Sequence, residues 1–222
     1  MYNPICLVGV DGSGKTEQIR LLMKLLTKEG FKCKYVWFRW AAFISYPFLA
    51  LCRLSGLTRR RVNPRSGSFF SEHCVYRSRT LAKIWTLLFT FDLYLYCVFR
   101  IKVPIKIGYH VLCDRFVLDA IVDLMHDTRN YDLARSAIGN LLMALIPKQS
   151  IVILLDVDEY EAYKRKEDIP SIDYLKQRRE SYLRLCQDTA VQIVDGNKTP
   201  DEVHREIANK VLKNCRHLMQ RS

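Results

Sequence analysis

Short apolar runs alternate with longer amphipathic segments along the chain, and this alternation is the main indicator of its fold. Runs of consecutive apolar, β-branched and aromatic residues are typical of buried strands. We predict five strands, at residues 4–8, 33–38, 110–113, 150–155 and 190–194. The run at 150–155 is apolar throughout, as expected for a strand in a parallel sheet that is covered on both faces.

Between and after these runs, apolar residues recur at the spacing of amphipathic helices. We predict helices at residues 17–29, 40–57, 72–103, 118–127, 131–145, 159–166, 171–186 and 200–218. Because strands and helices alternate, we expect an α/β fold with three α/β/α layers around a central, five-stranded parallel sheet. We find neither an internal repeat nor a domain linker in the sequence.

The part of the chain around residues 40–107 departs from this simple alternation. Residues 58–68 contain four arginines, Pro64 and Gly67 but no periodic apolar face. We interpret them as a solvated basic loop, with a mobile contact to phosphate or membrane as the alternative. Residues 72–103 are too apolar for a helix with one solvent face, so we expect this helix to be buried on several sides and to end before Pro104.

A glycine-rich motif lies between the first strand and the first helix. Residues 9–16 read Gly-Val-Asp-Gly-Ser-Gly-Lys-Thr and match the pattern G-x-x-x-x-G-K-[ST] of phosphate-binding loops. In such a loop the backbone amides and the helix N-terminus bind phosphates, the lysine reaches the β- and γ-phosphates, and the threonine hydroxyl is a ligand for Mg²⁺. This motif predicts ATP and Mg²⁺ binding by Gly9, Asp11, Gly12, Ser13, Gly14, Lys15 and Thr16.

Composition and charge restrict the possible ligands and surroundings of the protein only partly. The chain has 222 residues and a net charge of +12, which favours anionic ligands such as nucleotides, nucleic acid or an acidic lipid surface. Its eight cysteines are scattered without a zinc-binding spacing and are interpreted as small core residues in a reducing compartment. Two apolar stretches, 40–52 and 84–99, are shorter than the ~20 residues needed to span a bilayer, so a peripheral or subunit contact remains open.

Polar residues follow each predicted strand at its carboxyl end, where parallel α/β sheets bind their ligands. These residues should converge on one cleft, which is the arrangement that phosphoryl transfer between two anions requires. They are Asp11, Lys15, Arg39, Asp114, Arg115, Asp156, Asp158 and Asp195. Asp119 and Asp123 lie at helical spacing after Arg115 and either extend this site or complement the helix dipole.

Several of these segments together resemble the thymidylate kinase family. The residues that carry the resemblance are VGVDGSGKTEQIRLLMKLLTKEGFKCKYVWFR at 8–39, VLCDRF at 111–116, LLDVDEYEAYKRK at 154–166 and QIVDGNKTPDEVHREI at 192–207. The resemblance covers both ends of the chain and the middle strand and is weak between residues 40 and 83. It implies a single P-loop kinase domain over residues 1–222, with a divergent, helical acceptor side at about 40–107 and a short lid at about 159–171.

The resemblance also implies an activity and roles for individual residues. The activity is transfer of the ATP γ-phosphate to a nucleoside monophosphate, most directly dTMP to dTDP. Lys15, Arg115 and the lid residue Arg165 are the expected catalytic residues, with Arg178 and Arg179 as alternatives to Arg165. Asp114 is expected near Mg²⁺ together with Thr16. The expected acceptor-binding residues are Asp11, Arg39, Phe89, Asp114 and Arg115, and the loop containing Gly196 and Asn197 is expected to hold adenine.

The acceptor side departs from the family pattern. Trp40, Ala41 and Ala42 replace the usual Glu-Pro-Gly, and Leu93 stands where the family has an arginine. Two alternatives therefore stay open: a related P-loop kinase for a different acceptor, and a nucleotide-binding module that docks on a membrane or partner with little catalysis. We further expect a cytoplasmic protein that forms a homodimer through the apolar helix at residues 85–99 and that does not bind nucleic acid.

Overall fold

A five-stranded parallel sheet forms the centre of the protein, as predicted. The computed structural model describes residues 3–38, 44–63, 65–187 and 189–219, with side chains described outside 70–73 and 215–219. The strands are β1 (Pro4–Val8), β2 (Cys33–Trp37), β5 (His110–Asp114), β6 (Ile151–Asp156) and β7 (Gln192–Asp195). Their order across the sheet is β2-β5-β1-β6-β7, and every neighbouring pair is parallel.

The central position of β1 brings the loop that follows it to the middle of the sheet edge. Cys6 of β1 lies beside Cys113 of β5 on one side and beside Val152 of β6 on the other. All five residues of β1 and of β5 are buried, so both strands are covered on both faces. Their carboxyl ends, at Val8 and Asp114, are therefore held in register next to each other.

Helices cover both faces of the sheet and give the expected α/β/α layers. On one face, α1 (Lys15–Lys28) and α9 (Pro200–Met219) pack on alternate sheet residues such as Leu7, Leu112 and Ile153. On the other face, the remaining sheet residues pack against a larger core of long and short helices. These helices are α2 (Ser45–Leu54), α3 (Arg79–Cys97), α4 (Val103–Lys106), α5 (Val117–Thr128), α6 (Ala137–Met143), α7 (Glu159–Arg165) and α8 (Ile172–Gln187).

The basic segment 58–68, predicted as a loop, is mostly part of a β-hairpin. Strands β3 (Thr58–Val62) and β4 (Phe69–His73) pair antiparallel, with Val62 opposite Phe69. At the turn, the amide of Gly67 donates to the carbonyl of Asn63 over 2.9 Å. The sequence prediction failed because the strand side chains that the structure describes, at 58–62 and 69, include no buried residue: β3 carries arginines where an amphipathic strand would alternate. It also placed the start of the next helix at residue 72, whereas α3 begins at Arg79.

The helix after the hairpin was predicted to end before Pro104, but it continues through this residue. One π-helical turn, Val98–Lys102, joins α3 to α4, so the helical path runs over the 28 residues Arg79–Lys106. A π-turn widens the helix, and Pro104 lies directly after it in the first turn of α4, where its missing N–H and its ring are tolerated. The prediction treated proline as a stop and could not anticipate the π-turn.

By length and composition alone, this long helix could cross a membrane. Its most apolar 18 residues have a mean hydropathy of 1.5, and 44% of them are buried inside the protein. Trp85, Phe89, Leu93 and Cys97 lie on the buried side and pack into the larger core. A core helix passes the same test of length and composition, and packing of this kind is what identifies a core helix.

The cysteines behave as the sequence predicted. Seven have described side chains: Cys6, Cys52, Cys74, Cys97, Cys113 and Cys186 are buried, and Cys33 is partly buried. Burial raises the pKa of the Cys97 thiol to about 12, so this side chain stays neutral and packs as an apolar group.

Candidate active site

The phosphate-loop motif forms a tight turn between β1 and α1. Gly14 has a φ of +88° and precedes the first residue of α1, and its carbonyl accepts the amide of Gln18 over 3.1 Å. The Lys15 ammonium lies inside the turn, 2.8 Å from the Gly9 carbonyl, 2.6 Å from the Val10 carbonyl and 3.1 Å from Ser13 Oγ. Burial, and after it the charge of Arg115, lower the pKa of Lys15 to about 8.

The loop is also in close contact with the first lid helix. Gly12 has a φ of +83°, and a Cβ at this position would lie 2.3 Å from the carbonyl oxygen of Ala162 in α7. No side chain other than hydrogen fits there without moving α7. The contact gives a structural reason for glycine at this position.

Asp114, at the carboxyl end of β5, is joined to the phosphate loop by a short hydrogen bond. The Thr16 hydroxyl donates to Asp114 Oδ2 over 2.6 Å, and the Tyr35 hydroxyl donates to the same oxygen over 3.2 Å. Asp114 is almost completely buried. Burial and the charge of Asp114 raise the pKa of Tyr35 to about 12, so this phenol remains a donor. Thr16 and Asp114, the two side chains that the sequence predicted as metal ligands, are thus in direct contact.

Arg115 connects three parts of the site. Its φ of +73° is unusual for a residue with a side chain and turns the guanidinium back toward β1. There it pairs with Asp11 of the phosphate loop and lies 3.6 Å from Asp119 of α5. Asp119 also accepts the amide of Phe116 over 2.7 Å and the hydroxyl of Tyr182 over 2.8 Å.

These contacts fix the position of Asp119, and its surroundings shift its pKa. Burial raises the pKa of Asp119 to about 6, and the charge of Arg115 opposes this shift. Asp119 lies 3.6 Å from the Arg115 guanidinium and is in a position to orient it. Asp123 instead pairs with Arg178 of α8, so the two carboxylates that the sequence placed on one helix face have different partners.

The basic residues of the lid lie at different distances from the phosphate loop. Lys166 Nζ is 3.6 Å from Asp11 Oδ1, whereas Arg165 donates to the carbonyl of Gly196 over 3.0 Å. Arg179 is held by both oxygens of Asp156, at 2.6 and 3.0 Å. Of these three cations, Lys166 contacts the phosphate loop, and Arg165 lies against the loop predicted to hold adenine.

The loops after β6 and β7 are joined to each other. Asn197 Oδ1 accepts the amide of Asp158 over 2.9 Å, and the amide of Gly196 donates to the carbonyl of Asp156 over 2.8 Å. A Cβ on Gly196 would lie 2.4 Å from a methyl group of Val157. The backbone of the predicted adenine loop is thereby fixed beside the lid.

The acceptor side is apolar. Phe89 is buried, with its ring 5.6 Å from that of Trp85, and Leu93 is buried where the family has an arginine. Arg39, predicted to bind the acceptor phosphate, lies outside the described residues, as do Trp40, Ala41 and Ala42. The roles of Phe89 and Arg39 stay predictions.

Four residues around this site were given no individual role in the sequence analysis. Tyr35 supports Asp114, Tyr182 supports Asp119, and Lys166 approaches Asp11. The fourth is Arg65, in the turn of the β3–β4 hairpin: it donates to the carbonyl of Tyr163 in α7 over 2.7 Å, and its guanidinium lies 4.1 Å from the ring centre. Of the four, only Lys166 lies in a segment, the lid, where the sequence predicted a catalytic cation.

The sheet order, the phosphate loop at its centre and the acid–arginine pair on the neighbouring strand define a P-loop nucleotide kinase, a phosphotransferase. The family model "Thymidylate kinase" matches residues 67–207, and since this is more than half of the 222 residues, the chain belongs to the thymidylate kinase family. The matched segment contains Asp114, Arg115 and the lid. The phosphate loop lies outside it and independently supports the assignment to the P-loop class.

Curated relatives agree with this assignment over nearly the whole chain. The chain is 24% identical to a probable thymidylate kinase from Staphylothermus marinus over 219 residues, which cover 94% of each protein. It is 25% identical to the thymidylate kinase from Halothermothrix orenii, over 95% of this chain and 96% of the relative. It is 28% identical to a probable thymidylate kinase from Methanocaldococcus jannaschii, over 96% of this chain and 97% of the relative.

Proposed function

We propose that this protein transfers the γ-phosphate of ATP to dTMP and forms dTDP. The observation that supports this most directly is the pair of contacts linking β1 and β5: Thr16 with Asp114, and Arg115 with Asp11. They bring donor-side and acceptor-side residues within one network at the carboxyl edge of the sheet. The relatives named thymidylate kinase supply the choice of acceptor.

On the donor side, the loop amides and Lys15 would bind the ATP phosphates. Lys15 is already surrounded by the loop, held by two carbonyls and one hydroxyl. A phosphate oxygen is a stronger partner for an ammonium group than a carbonyl, because the charges attract as well as the dipoles. Binding of the triphosphate would therefore turn Lys15 toward the β- and γ-phosphates without moving the backbone of α1.

The residues present fit a Mg²⁺ ion. Thr16 Oγ1 and Asp114 Oδ2 are 2.6 Å apart and are both hard oxygen ligands of the kind that Mg²⁺ prefers. They would hold the ion directly or through water. When bound, the ion would neutralise charge on the transferring phosphates. Tyr35 would keep the Asp114 carboxylate oriented by its hydrogen bond to the same oxygen.

In the transfer itself, an oxygen of the acceptor phosphate forms a bond to the γ-phosphorus while the bond from that phosphorus to the bridging oxygen of ADP breaks. Little covalent chemistry is required of the protein, which must align the two anions and balance their charge. Arg115 lies between the phosphate loop and α5 and would bridge donor and acceptor phosphates. Asp11 would face the acceptor sugar or phosphate.

A panel of acceptors tests the proposal. ADP formation from ATP and Mg²⁺ should be fastest with dTMP among nucleoside monophosphates and nucleosides. Lys15→Ala should lower kcat/KM by about a thousandfold, because it removes the charge that faces the transferred phosphate. If another acceptor is preferred, the related-kinase alternative replaces the dTMP assignment. If ATP binds but no acceptor is turned over, the protein is a nucleotide-binding module and the proposal is wrong.

A pair of matched variants identifies the lid cation that takes part. Lys166 approaches Asp11, and Arg165 contacts Gly196 instead. If Arg165 is the catalytic residue, as the family resemblance implies, Arg165→Ala should lower kcat with little effect on the KM for ATP, and Lys166→Ala should resemble the parent. The reverse result would assign the role to Lys166 and reject Arg165.

We also infer that the protein is a single kinase domain over residues 1–222, that it is cytoplasmic and that it forms a homodimer. The dimer is supported by one exposed side of α3, formed by Ile84, Leu87, Phe91 and Tyr94 at helical spacing. This set, which we call the α3 face, lies away from the core side of the same helix. Apolar residues repeated along one exposed helix face favour burial against a partner.

A further inference from the structure

The helix α2 presents an apolar face to solvent. Of its ten residues, the exposed ones are Tyr46, Pro47, Ala50, Leu51, Arg53 and Leu54. On a helical projection the five uncharged members form one continuous stripe, and Arg53 lies at its edge. Leu51 is 62% exposed and Leu54 85% exposed. We call Tyr46, Pro47, Ala50, Leu51 and Leu54 the α2 face.

This orientation of α2 is fixed from the inside. Asp92 of α3 is fully buried and accepts the amides of Ile44 and Ser45, at 3.0 and 2.9 Å, and the hydroxyl of Ser45 at 2.6 Å. Farther along, Phe48 stacks on Trp85 with 6.0 Å between ring centres. Both contacts lie on the opposite side of α2, so the helix cannot turn the α2 face inward without breaking them.

A strongly basic segment continues directly from α2. Residues 44–83 contain eight arginines and lysines and one acidic residue, Glu72. Arg59, Arg60 and Arg61 are consecutive on the exposed strand β3, which packs beside α2. At the far end of the hairpin, Val62 and Phe69 are opposite each other and are 56% and 73% exposed. Apolar and cationic side chains therefore occur together on this side of the protein.

We propose that the α2 face and the β3–β4 hairpin dock on the surface of a lipid bilayer that contains anionic lipids. Apolar side chains of an interfacial helix enter the boundary between headgroups and acyl chains, while arginines bind the negative headgroups. This one occupant accounts for both the exposed apolar side chains and the excess of positive charge.

Charge disfavours the other occupants. A second copy of the chain would bring the same basic segment to the interface, and like charges would oppose the contact. Nucleic acid would match the arginines but would leave the leucines of α2 in water. The α3 face lies on another side of its helix from Asp92 and Trp85, which hold α2, so docking on a bilayer and pairing through α3 are compatible.

Vesicle flotation tests the proposal with the full chain, without nucleotide. We would use neutral vesicles of phosphatidylcholine and anionic vesicles in which about a third of the lipid is phosphatidylglycerol. The parent should float with the anionic vesicles and stay in solution with the neutral ones, and binding should weaken as salt rises because the headgroup charge is screened. Kinase activity is not needed for this measurement, so its outcome is separate from that of the acceptor panel.

Two variants and two matched controls locate the contact. Leu51→Ser with Leu54→Ser should lower the partition coefficient at least about tenfold by removing apolar side chains. Arg59→Ser with Arg60→Ser and Arg61→Ser should lower it about a hundredfold. Leu141→Ser, at an exposed leucine of α6, and the triple change Lys24→Ser, Lys28→Ser and Lys32→Ser should bind like the parent.

Two results would overturn the proposal. The first is a folded parent protein that does not float with anionic vesicles. The second is binding that the arginine changes abolish but the leucine changes leave intact, since this would reflect net charge alone. Conversion of a dimer to a monomer by the α2 leucine changes, together with no vesicle binding, would make a second copy the occupant instead.

Discussion

At the scale of single residues, the phosphate loop depends on a close approach that only glycine allows. Gly12 combines a left-handed backbone with a position directly under the Ala162 carbonyl of α7. Both constraints act together, because the turn that points the amides inward also presents the missing side chain to the lid helix. The loop and the lid are thus in direct contact.

Substitution of Gly12 should disturb the packing of α7 as well as the backbone of the loop. Gly30 has nearly the same φ, +85° against +83°, but a Cβ there would meet nothing within 4 Å. Gly30→Ala should therefore cost about 1 kcal/mol, the usual penalty of a left-handed alanine. Gly12→Ala should cost at least about 2 kcal/mol more, because α7 must move. Urea unfolding measures both, and equal losses would show that the contact with α7 yields easily.

Much of the site chemistry could be predicted at this scale, and the supporting residues could not. The loop motif and the Asp114–Arg115 pair follow from spacing, since a sheet brings strand ends together whatever their sequence. Tyr35, Tyr182 and Lys166 are common surface or core residue types, and only the packing of separate elements brings them to the site. Whether Arg115 and Arg165 are catalytic stays a prediction.

At the scale of elements, α2 is held to the protein mainly by its hydrogen bonds and ring contact with α3. A buried acidic residue in an apolar helix is unusual, and in the sequence Asp92 only interrupts a hydrophobic run. In the structure it accepts the donors at the beginning of α2, which have no partners within the helix itself. The sequence could not predict this pairing, because the two residues that meet are 47 positions apart.

Removal of this acceptor should loosen α2 specifically. Asp92→Ala should cost about 3 kcal/mol, because three buried or partly buried donors lose their acceptor, and Asp92→Asn about half as much. Asp158→Ala, which removes an exposed cap of α7, is the control and should cost about 1 kcal/mol. Hydrogen exchange should become faster in α2 for the Asp92 variants alone. Unchanged exchange there would mean that the Phe48–Trp85 stack is sufficient to hold the helix.

The packing of α5 on α8 should make stability depend on pH. Burial and the charge of Arg178 lower the pKa of His126 to about 4, compared with about 6.5 in an unfolded chain. A lowered folded-state pKa gives stability that is present above the unfolded value and is lost as the pH falls from about 6.5 to 4. His126→Gln should remove this loss. The free energy of unfolding of the variant, relative to that of the parent, should therefore rise by about 1 kcal/mol when the pH is lowered from 7.5 to 5.

Denaturant unfolding at the two pH values measures this change. Ser181→Ala removes the hydroxyl that lies 3.2 Å from His126 Nε2 but no titratable group, and its effect should not depend on pH. Burial also raises the pKa of Asp127 to about 7, which acts in the opposite direction, but Asp127 is present in all three proteins. An equal difference between His126→Gln and the parent at both pH values would contradict the prediction.

Elements with a buried face were predictable, and those without one were not. The five strands agree with the prediction to within two residues at each end. The inner strands β1, β5 and β6 are almost entirely buried, and the edge strands β2 and β7 each keep one buried valine within a short β-branched or aromatic run. In the β3–β4 hairpin none of the strand side chains described, at 58–62 and 69, is buried, and this segment is predicted as a loop. The helix across Pro104 was cut short because a π-turn follows no pattern of residue types that a sequence reading detects.

At the scale of the whole molecule, the protein has a layered core and two exposed apolar faces on one side of it. The three layers confirm the α/β prediction in full, since the order of strands and helices along the chain determines the layering. The α2 face lies beside β3, whose three consecutive arginines favour an anionic partner. We therefore assign the two faces different partners.

The α3 face should determine the oligomeric state. Leu87 and Phe91 are 58% and 49% exposed, and their contact with a second copy would remove them from water. The parent should be a dimer in sedimentation at micromolar concentration, and Leu87→Ser with Phe91→Ser should be monomeric. Leu141→Ser is the control and should remain a dimer. A monomeric parent at tens of micromolar would reject the homodimer.

The contact between Arg65 and Tyr163 joins the hairpin turn to the helix that begins the lid. Because Arg65 is exposed and Tyr163 is only partly buried, the contact is worth at most about 1 kcal/mol, which corresponds to roughly a fivefold change in an equilibrium. A lid that closes over a nucleotide must either take the hairpin turn along or release it. If the lid moves during turnover, a molecule bound to the hairpin would therefore change the turnover rate only by a small factor.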